Sequence, residues 1–438
     1  MSTAETQEIA NTTLERIAWL SSQNADQEFT SLMHHVNVEA LRCCFQRLDG
    51  KKAVGTDGIT KAKFGENLDA NLQKLVASMK SMGYRPGPVR QVLIPKEGKP
   101  GATRPLGISN FNDKLIQKRF QELLEAIYDP IFLDCSYGFR PGRGCHDAIK
   151  ALSDYLYVNE VETVIDVGLA NFFGTIDQTL LIEMLERKIK DTRFIRYIKR
   201  MFKAGMLTEG ELRMSEEGVV QGSCCSPVLA NIFAHTVTDV WFNDVVKHHT
   251  KGPVQIFRYA DDLVVACRYN SDAIRIKEAL GNRLAKYRLR MNEDKTKLVA
   301  FSKRQHARGL QQGTFDFLGF TFYIGWTKRG RPNVKLKTCG KRFRSKLKKI
   351  NIWAREKRAT YALDEYWKRY AAMIRGHIQY YGVSHNSLTV GKFVLESKYI
   401  VFKWLNRRSQ RKSFNWSEFE LLVKRMPLPA VSVKHRLF

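Results

Sequence analysis

"FRYADDLVVACR", residues 257–268, sets two adjacent acids inside a run that otherwise reads as buried strand. Phe257 and Tyr259 precede Asp261 and Asp262, and Leu263 to Cys267 follow them. Aromatic and β-branched residues in such runs suit a core sheet. An ionised carboxylate buried without a partner costs on the order of several kcal/mol. The pair is therefore either a solvated turn between two strands or a place where a cation offsets the charge.

The chain around this stretch has 438 residues and a formal net charge of +28. That length gives room for two or three subdomains and a large core. Positive charge on this scale points to a polyanionic partner, nucleic acid before membrane surface. No apolar run reaches the ~18 residues expected of a spanning helix. The opening "MSTAETQEIANTTLERIAWL" carries three glutamates and lacks the basic-then-apolar order of a secretory signal. Eight cysteines include the adjacent pairs Cys43–Cys44 and Cys224–Cys225 but no CxxC spacing. That argues against zinc modules and for reduced core thiols in a cytoplasmic protein that stays off membranes.

Residues 1 to about 50 read as helical until "KKAVGTDGIT" breaks the pattern. "RPGPVRQVLIPKEGKPGATRPLGI" then reads as a hairpin whose Gly/Pro tip carries Lys96 and Lys99, with Arg104 on its return strand. A helix is expected from about Asp113 to Tyr128, and "SYGFRPGRGCHDAIKAL" is a basic loop, with Arg140 and Arg143, running into another. "TVIDV" (163–167) reads as a strand, 178–206 as two helices, 254–267 as a hairpin and 292–325 as further strands. From Lys328 to Lys349 the chain has 11 Lys or Arg in 22 residues and no acid, and aromatic-rich helical stretches follow. A surface needing only solubility would mix both signs, so this region reads as a helical nucleic-acid-binding segment.

Six blocks, "RPLGISNFNDKLIQ", "SYGFRPGRGCHDAI", "GVVQGSCCSPVLANIF", "FRYADDLVV", "MNEDKTKL" and "FDFLGFTF", stand in the order and at the spacing of the reverse transcriptases. Within that family the chain resembles the group II intron-encoded reverse transcriptase–maturases, from about Gly55 onward. "GTDGIT" is similar to their N-terminal extension block. The likeness implies an α+β fold, a right-hand polymerase: extension and fingers over 1–155, a palm with YADD over 156–325, and a basic helical thumb or maturase domain over 326–438. The likeness is to the bacterial type that lacks a zinc-stabilised endonuclease, so second-strand nicking is not expected.

The resemblance implies a role for each matching residue. Two Mg²⁺ ions about 3.5–4 Å apart activate the primer hydroxyl and neutralise the leaving pyrophosphate, and hard cations want carboxylate oxygens. Asp261 and Asp262 are then metal ligands and catalytic, with Lys295 as a general acid or charge partner. Lys96 and Arg104 would close on the incoming triphosphate, and Gln221 would lie near nucleotide and template, where Gly222 lets backbone come close. Phe172 or Phe173 would exclude a ribose 2′-hydroxyl. Phe317, Leu318, Gly319 and Phe320 would grip the primer. Arg140, Arg143, Lys341, Arg342, Arg344 and Lys346 are the candidate RNA contacts.

One block departs from the pattern. In the family an aspartate stands five residues ahead of the second phenylalanine, whereas "VIDVGLANFFGTID" has Gly168 there. Asp166 shares its strand face, yet two residues of strand span ~6.6 Å. That is too far for a ligand bound at ~2.1 Å unless the strand shifts. The expected function is a group II intron-encoded protein that binds intron RNA, assists splicing and acts as an RNA-directed DNA polymerase, impaired by Gly168. Its partners would be the intron RNA, a DNA target and primer, and deoxynucleoside triphosphates. A splicing-only maturase and a reverse transcriptase recruited to host defence or DNA repair are the alternatives.

Overall fold

The computed structural model describes residues 3–95, 101, 103–208, 211–213, 217–219, 222–408 and 413–437, and gives backbone alone at 3–11, 208 and 211–213. Lys96, Lys99 and Gln221 lie outside the described residues. In chain order the strands are β1 (Val89–Pro95), β2 (Thr103–Ile108), β3 (Thr163–Gly168), β4 (Met206–Thr208), β5 (Glu211–Arg213), β6 (Val254–Tyr259), β7 (Asp262–Cys267), β8 (Lys297–Ala300), β9 (Phe315–Phe317), β10 (Phe320–Trp326) and β11 (Pro332–Thr338). They form three sheets, ordered β2-β1-β4-β5, β6-β7-β3-β8 and β11-β10-β9.

The first sheet is the expected basic hairpin, β1 against β2, widened by β4 running parallel to β1. Beside it the helices Thr3–Gln23 and Val38–Arg47 pack on the helix Phe111–Tyr128. The second sheet is antiparallel throughout, and its alternation divides the molecule. Ile165, Val167, Leu263 and Val265 point into one core, which they share with Ile276 and Leu280 of the helix Asn270–Lys286. Val164, Val264, Ala266 and Val299 point the other way. They meet Ile149 and Leu152 of the helix Cys145–Val158, Phe320 and Phe322 of β10, and Ile374 and Ile378 of the helix Leu363–Tyr381. Both faces are dry, which is why "LVVAC" is an unbroken apolar run rather than an alternating one.

The β10–β11 hairpin crosses the expected 325/326 boundary, because Phe320 pairs with Thr338 and Trp326 with Pro332. The first half of the basic segment is therefore sheet, and the helices begin at Gly340. They run Gly340–Lys357, Leu363–Tyr381, Ser387–Leu405 and Trp416–Arg425. Since these helices bury residues in the same core as one face of β6-β7-β3-β8, they are fixed to the sheet that carries the acids.

Candidate active site

Tyr259 pairs directly with Asp262, so Ala260 and Asp261 form a two-residue turn. Hairpins this tight need a positive φ, and Ala260 supplies it at 56° without being glycine. That backbone strain is held in place from below. Arg258 lies on the face of Leu263 and is 0% exposed. Its guanidinium donates to Asp239 Oδ1 and Oδ2 at 2.8 and 2.6 Å, to Asn231 Oδ1 at 2.8 Å and to Ser136 Oγ at 2.6 Å. It also donates to the Ala260 carbonyl at 3.4 Å, the carbonyl of the strained residue itself. Burial works against the charge on Arg258, and the Asp239 carboxylate more than offsets this. Asp239 comes from a π-helical turn, His235–Val240, continuing the helix Ser226–Ala234. Such wide turns often sit at functional sites. Gly138 completes the support: a Cβ there would stand 2.5 Å from the Ala260 nitrogen, so only glycine lets the 135–138 segment lie against the turn.

On the opposite face of the same sheet stand Tyr259, Asp262, Gly168 and Asp166. Gly168 is the register partner of Asp262, whereas Asp166 pairs with Val264 and with Lys297. A side chain at 168 would therefore stand beside Asp262, on the same face. On its other flank is Lys295, whose Cβ lies 2.7 Å from where a Cβ at 168 would be. Lys295 is thus a neighbour of the acids, held by a turn in which its amide donates to the Asn292 carbonyl. Asp262 is open to solvent on one side and walled by protein on the others. That desolvation, then the Asp261 carboxylate, pushes it up to about 6, while Lys295 pulls it down. Asp166 is pushed up to about 6 by burial, then by Asp262 and Asp316, with Lys297 and Lys295 opposing.

The site's rim differs from expectation in several places. Phe172 is 3% exposed and belongs to the core, so its ring does not line the cleft. Asn171 (φ 47°) turns the chain and leaves Phe173 half-buried beside Tyr259's neighbour Phe139. Phe317 and Phe320 are likewise core residues, because β9 and β10 alternate inward at those positions. The tip, Leu318 (φ 48°) and Gly319 (φ 82°), is half-buried, and the Tyr380 hydroxyl donates to the Leu318 carbonyl at 2.8 Å.

Arg140 is not an RNA contact. It is buried, bonded to Asp129 at 2.6 Å and to the Leu133, Ser136 and Asp129 carbonyls. Arg143 pairs with Asp134 at 2.6 Å and covers the Tyr137 ring, an ion pair within its own loop. Lys346 is half-buried over the Tyr381 ring at 4.7 Å. Lys341, Arg342 and Arg344 are exposed at the start of their helix, and Arg104 is exposed on β2. Gly222 (φ 109°) lies against β2, since a Cβ there would be 2.4 Å from the Gly107 carbonyl. Arg258, Asp239 and Phe139 were not singled out from sequence. An arginine inside the strand run "QIFRY" was the available signal, because a buried charge requires a partner.

A family model for reverse transcriptase (RNA-dependent DNA polymerase) matches residues 94–322, which hold Asp166, Asp261 and Asp262. The chain belongs to the reverse transcriptase family. Its fold is accordingly the right-hand polymerase, and reverse transcriptases in general use divalent metal. The group II intron-encoded protein LtrA of Lactococcus lactis subsp. cremoris is 32% identical over 286 residues, 65% of this chain and 47% of LtrA. Protein YkfC of Escherichia coli (strain K12) is 32% identical over 281 residues, 57% of this chain and 73% of YkfC. An uncharacterized 91 kDa protein in the cob intron of Schizosaccharomyces pombe is 32% identical over 250 residues, 56% of this chain and 30% of that protein. The chain thus spans about half the length, or less, of the intron-encoded relatives it matches here.

Among the described residues the acids do not make up a complete two-metal set. Among the described residues no group of three or more His, Cys, Asp or Glu could hold a metal ion. Asp261 and Asp262 remain as a pair with a glycine where a third acid would close the set. Among the described residues no helix is long and apolar enough to cross a membrane.

Proposed function

We propose that this chain binds a primer–template and a structured intron RNA in the manner of an RNA-directed DNA polymerase, and that its polymerisation is held back at Gly168. The observation that carries this is the register of β3 on β7, which sets Gly168 opposite Asp262 and beside Lys295. Asp261 and Asp262 are the candidate metal ligands and Phe173 the candidate sugar gate. Lys341, Arg342 and Arg344 are the candidate phosphate contacts, on a chain whose net charge is +28. Such contacts hold nucleic acid without reading its sequence. The missing acid also favours a second reading, an intron RNA-binding maturase that assists splicing without polymerising. The names of LtrA and of the cob-intron protein support an intron RNA as the partner class.

Parallel titrations test this. Filter binding of the protein to a group II intron RNA and to an RNA template with a DNA primer should show tight, salt-sensitive complexes with both. Single-turnover extension on the second should be slow. Full-rate extension would refute the part assigned to Gly168. Absence of binding to either nucleic acid would refute the whole reading.

A further inference from the structure

Phe139 combines two unfavourable features. Its φ is +56°, left-handed for a bulky residue, and its side chain is 49% exposed. Neither is a consequence of slack, because both flanking residues are anchored. The Gly138 carbonyl accepts from Asn231 Nδ2 at 2.7 Å, and the Arg140 guanidinium is fully engaged. The backbone thus presents the ring in one direction, toward the face that carries Asp262. There it meets Phe173 edge to face, with ring centroids 6.3 Å apart and planes at 84°, and lies 6.4 Å from Tyr259. Phe173 in turn packs against the buried Phe172 at 5.6 Å and 72°. It is therefore held between a core ring on one side and an exposed ring on the other.

We propose that Phe139 is a positioning residue for sugar selection: it keeps the Phe173 ring where a ribose 2′-hydroxyl would collide with it. The inference rests on the polymerase reading above, with Phe173 as the gate. Without the Phe139 ring, Phe173 has open space toward solvent and swings into it, and the pocket admits a ribonucleotide. A strained, exposed aromatic has no role in the core, so its removal spares the fold.

The test uses the whole chain on an RNA template with a dideoxy-terminated DNA primer and Mg²⁺. A matching deoxynucleotide or ribonucleotide is added, and complexes surviving a heparin challenge are counted against nucleotide concentration. The parent should be retained by the deoxynucleotide and poorly by the ribonucleotide. Phe139→Ala should lower that preference by about ten-fold, the scale of one edge-to-face ring pair, mainly by tightening the ribonucleotide complex. Phe139→Gly suits the left-handed backbone and should do the same with no loss of thermal stability, while Phe139→Tyr should keep the parent preference. In a Phe173→Ala chain, already open, Phe139→Ala should add nothing. A folded Phe139→Ala or Phe139→Gly protein with the parent preference would overturn the proposal alone. A parent retained by neither nucleotide would overturn the polymerase reading, and this proposal with it.

Discussion

Asp239→Ala leaves the Arg258 guanidinium inside the protein with two of its five hydrogen bonds gone. Breaking a buried ion pair from one side costs about 3–5 kcal/mol, because the remaining charge has neither water nor a counter-charge. Domains are typically held by about 5–15 kcal/mol, so the substitution should be severe but not always lethal to the fold. With a denaturant slope of about 2–3 kcal/mol per M, the urea midpoint should fall by about 1–2.5 M. The double change Arg258→Met with Asp239→Leu removes both charges together and should recover most of that loss. It does not restore the donor to the Ala260 carbonyl, so the turn bearing Asp261 and Asp262 loses that support. Carried in a Gly168→Asp chain, the double change should therefore regain stability without regaining primer extension. An Asp239→Ala protein with the parent midpoint would refute the buried-pair reasoning. A double variant that extends as well as Gly168→Asp alone would refute the link from Arg258 to the turn.

Reversing Lys341, Arg342 and Arg344 to glutamate should weaken binding to every RNA about equally, and filter binding of the parent should lose about 10³–10⁵-fold between 50 and 200 mM salt; a flat salt dependence would count against it. His377, pushed down to about 3, and His35 and His235, each pushed down to about 4, all chiefly by burial, are neutral in the folded protein. Their folded values lie below the ordinary ~6.5, so the stability they contribute is present above that pH and is lost as pH falls toward 4 and below. Urea midpoints should drop over that window, and less steeply for His377→Phe, since neither ring nitrogen of His377 has a hydrogen-bond partner to lose; an unchanged slope would argue against this. Asp166→Ala in a Gly168→Asp chain should change extension less than about ten-fold, whereas loss of all extension would move the site two residues along β3.

The hairpin of β6 and β7 and the hairpin of β1 and β2 were legible because strand alternation and short turns are written locally. The place of Gly168 was legible too, since counting from Phe173 needs no tertiary knowledge. What stayed hidden depends on distant partners. Arg258 is satisfied by Ser136 from one segment and by Asn231 and Asp239 from one continuous helix, so its motif showed that a buried charge needs partners but not which ones. Arg140 read as a basic-loop charge but folds back onto Asp129. Phe172 and Phe173 are adjacent and alike in sequence, and a single left-handed residue, Asn171, separates core from cleft. Phe317 and Phe320 read as a grip because the motif was taken whole, although inward alternation on β9 and β10 already assigned both rings to the core.

Restoring the third acid tests the central claim most directly. In Gly168→Asp the new Cβ meets the Lys295 Cβ at 2.7 Å, so the exposed turn that carries Lys295 must give by several tenths of an ångström. The new carboxylate then stands between Asp262 and the Lys295 side chain. Single-turnover extension of a DNA primer on an RNA template should rise by at least about 100-fold over the parent, the effect of a few kcal/mol on the barrier. Affinity for the same primer–template should change little, since one added acid is small against a charge of +28. A Gly168→Asp protein that binds the primer–template as the parent does, yet extends it no faster, would contradict the account.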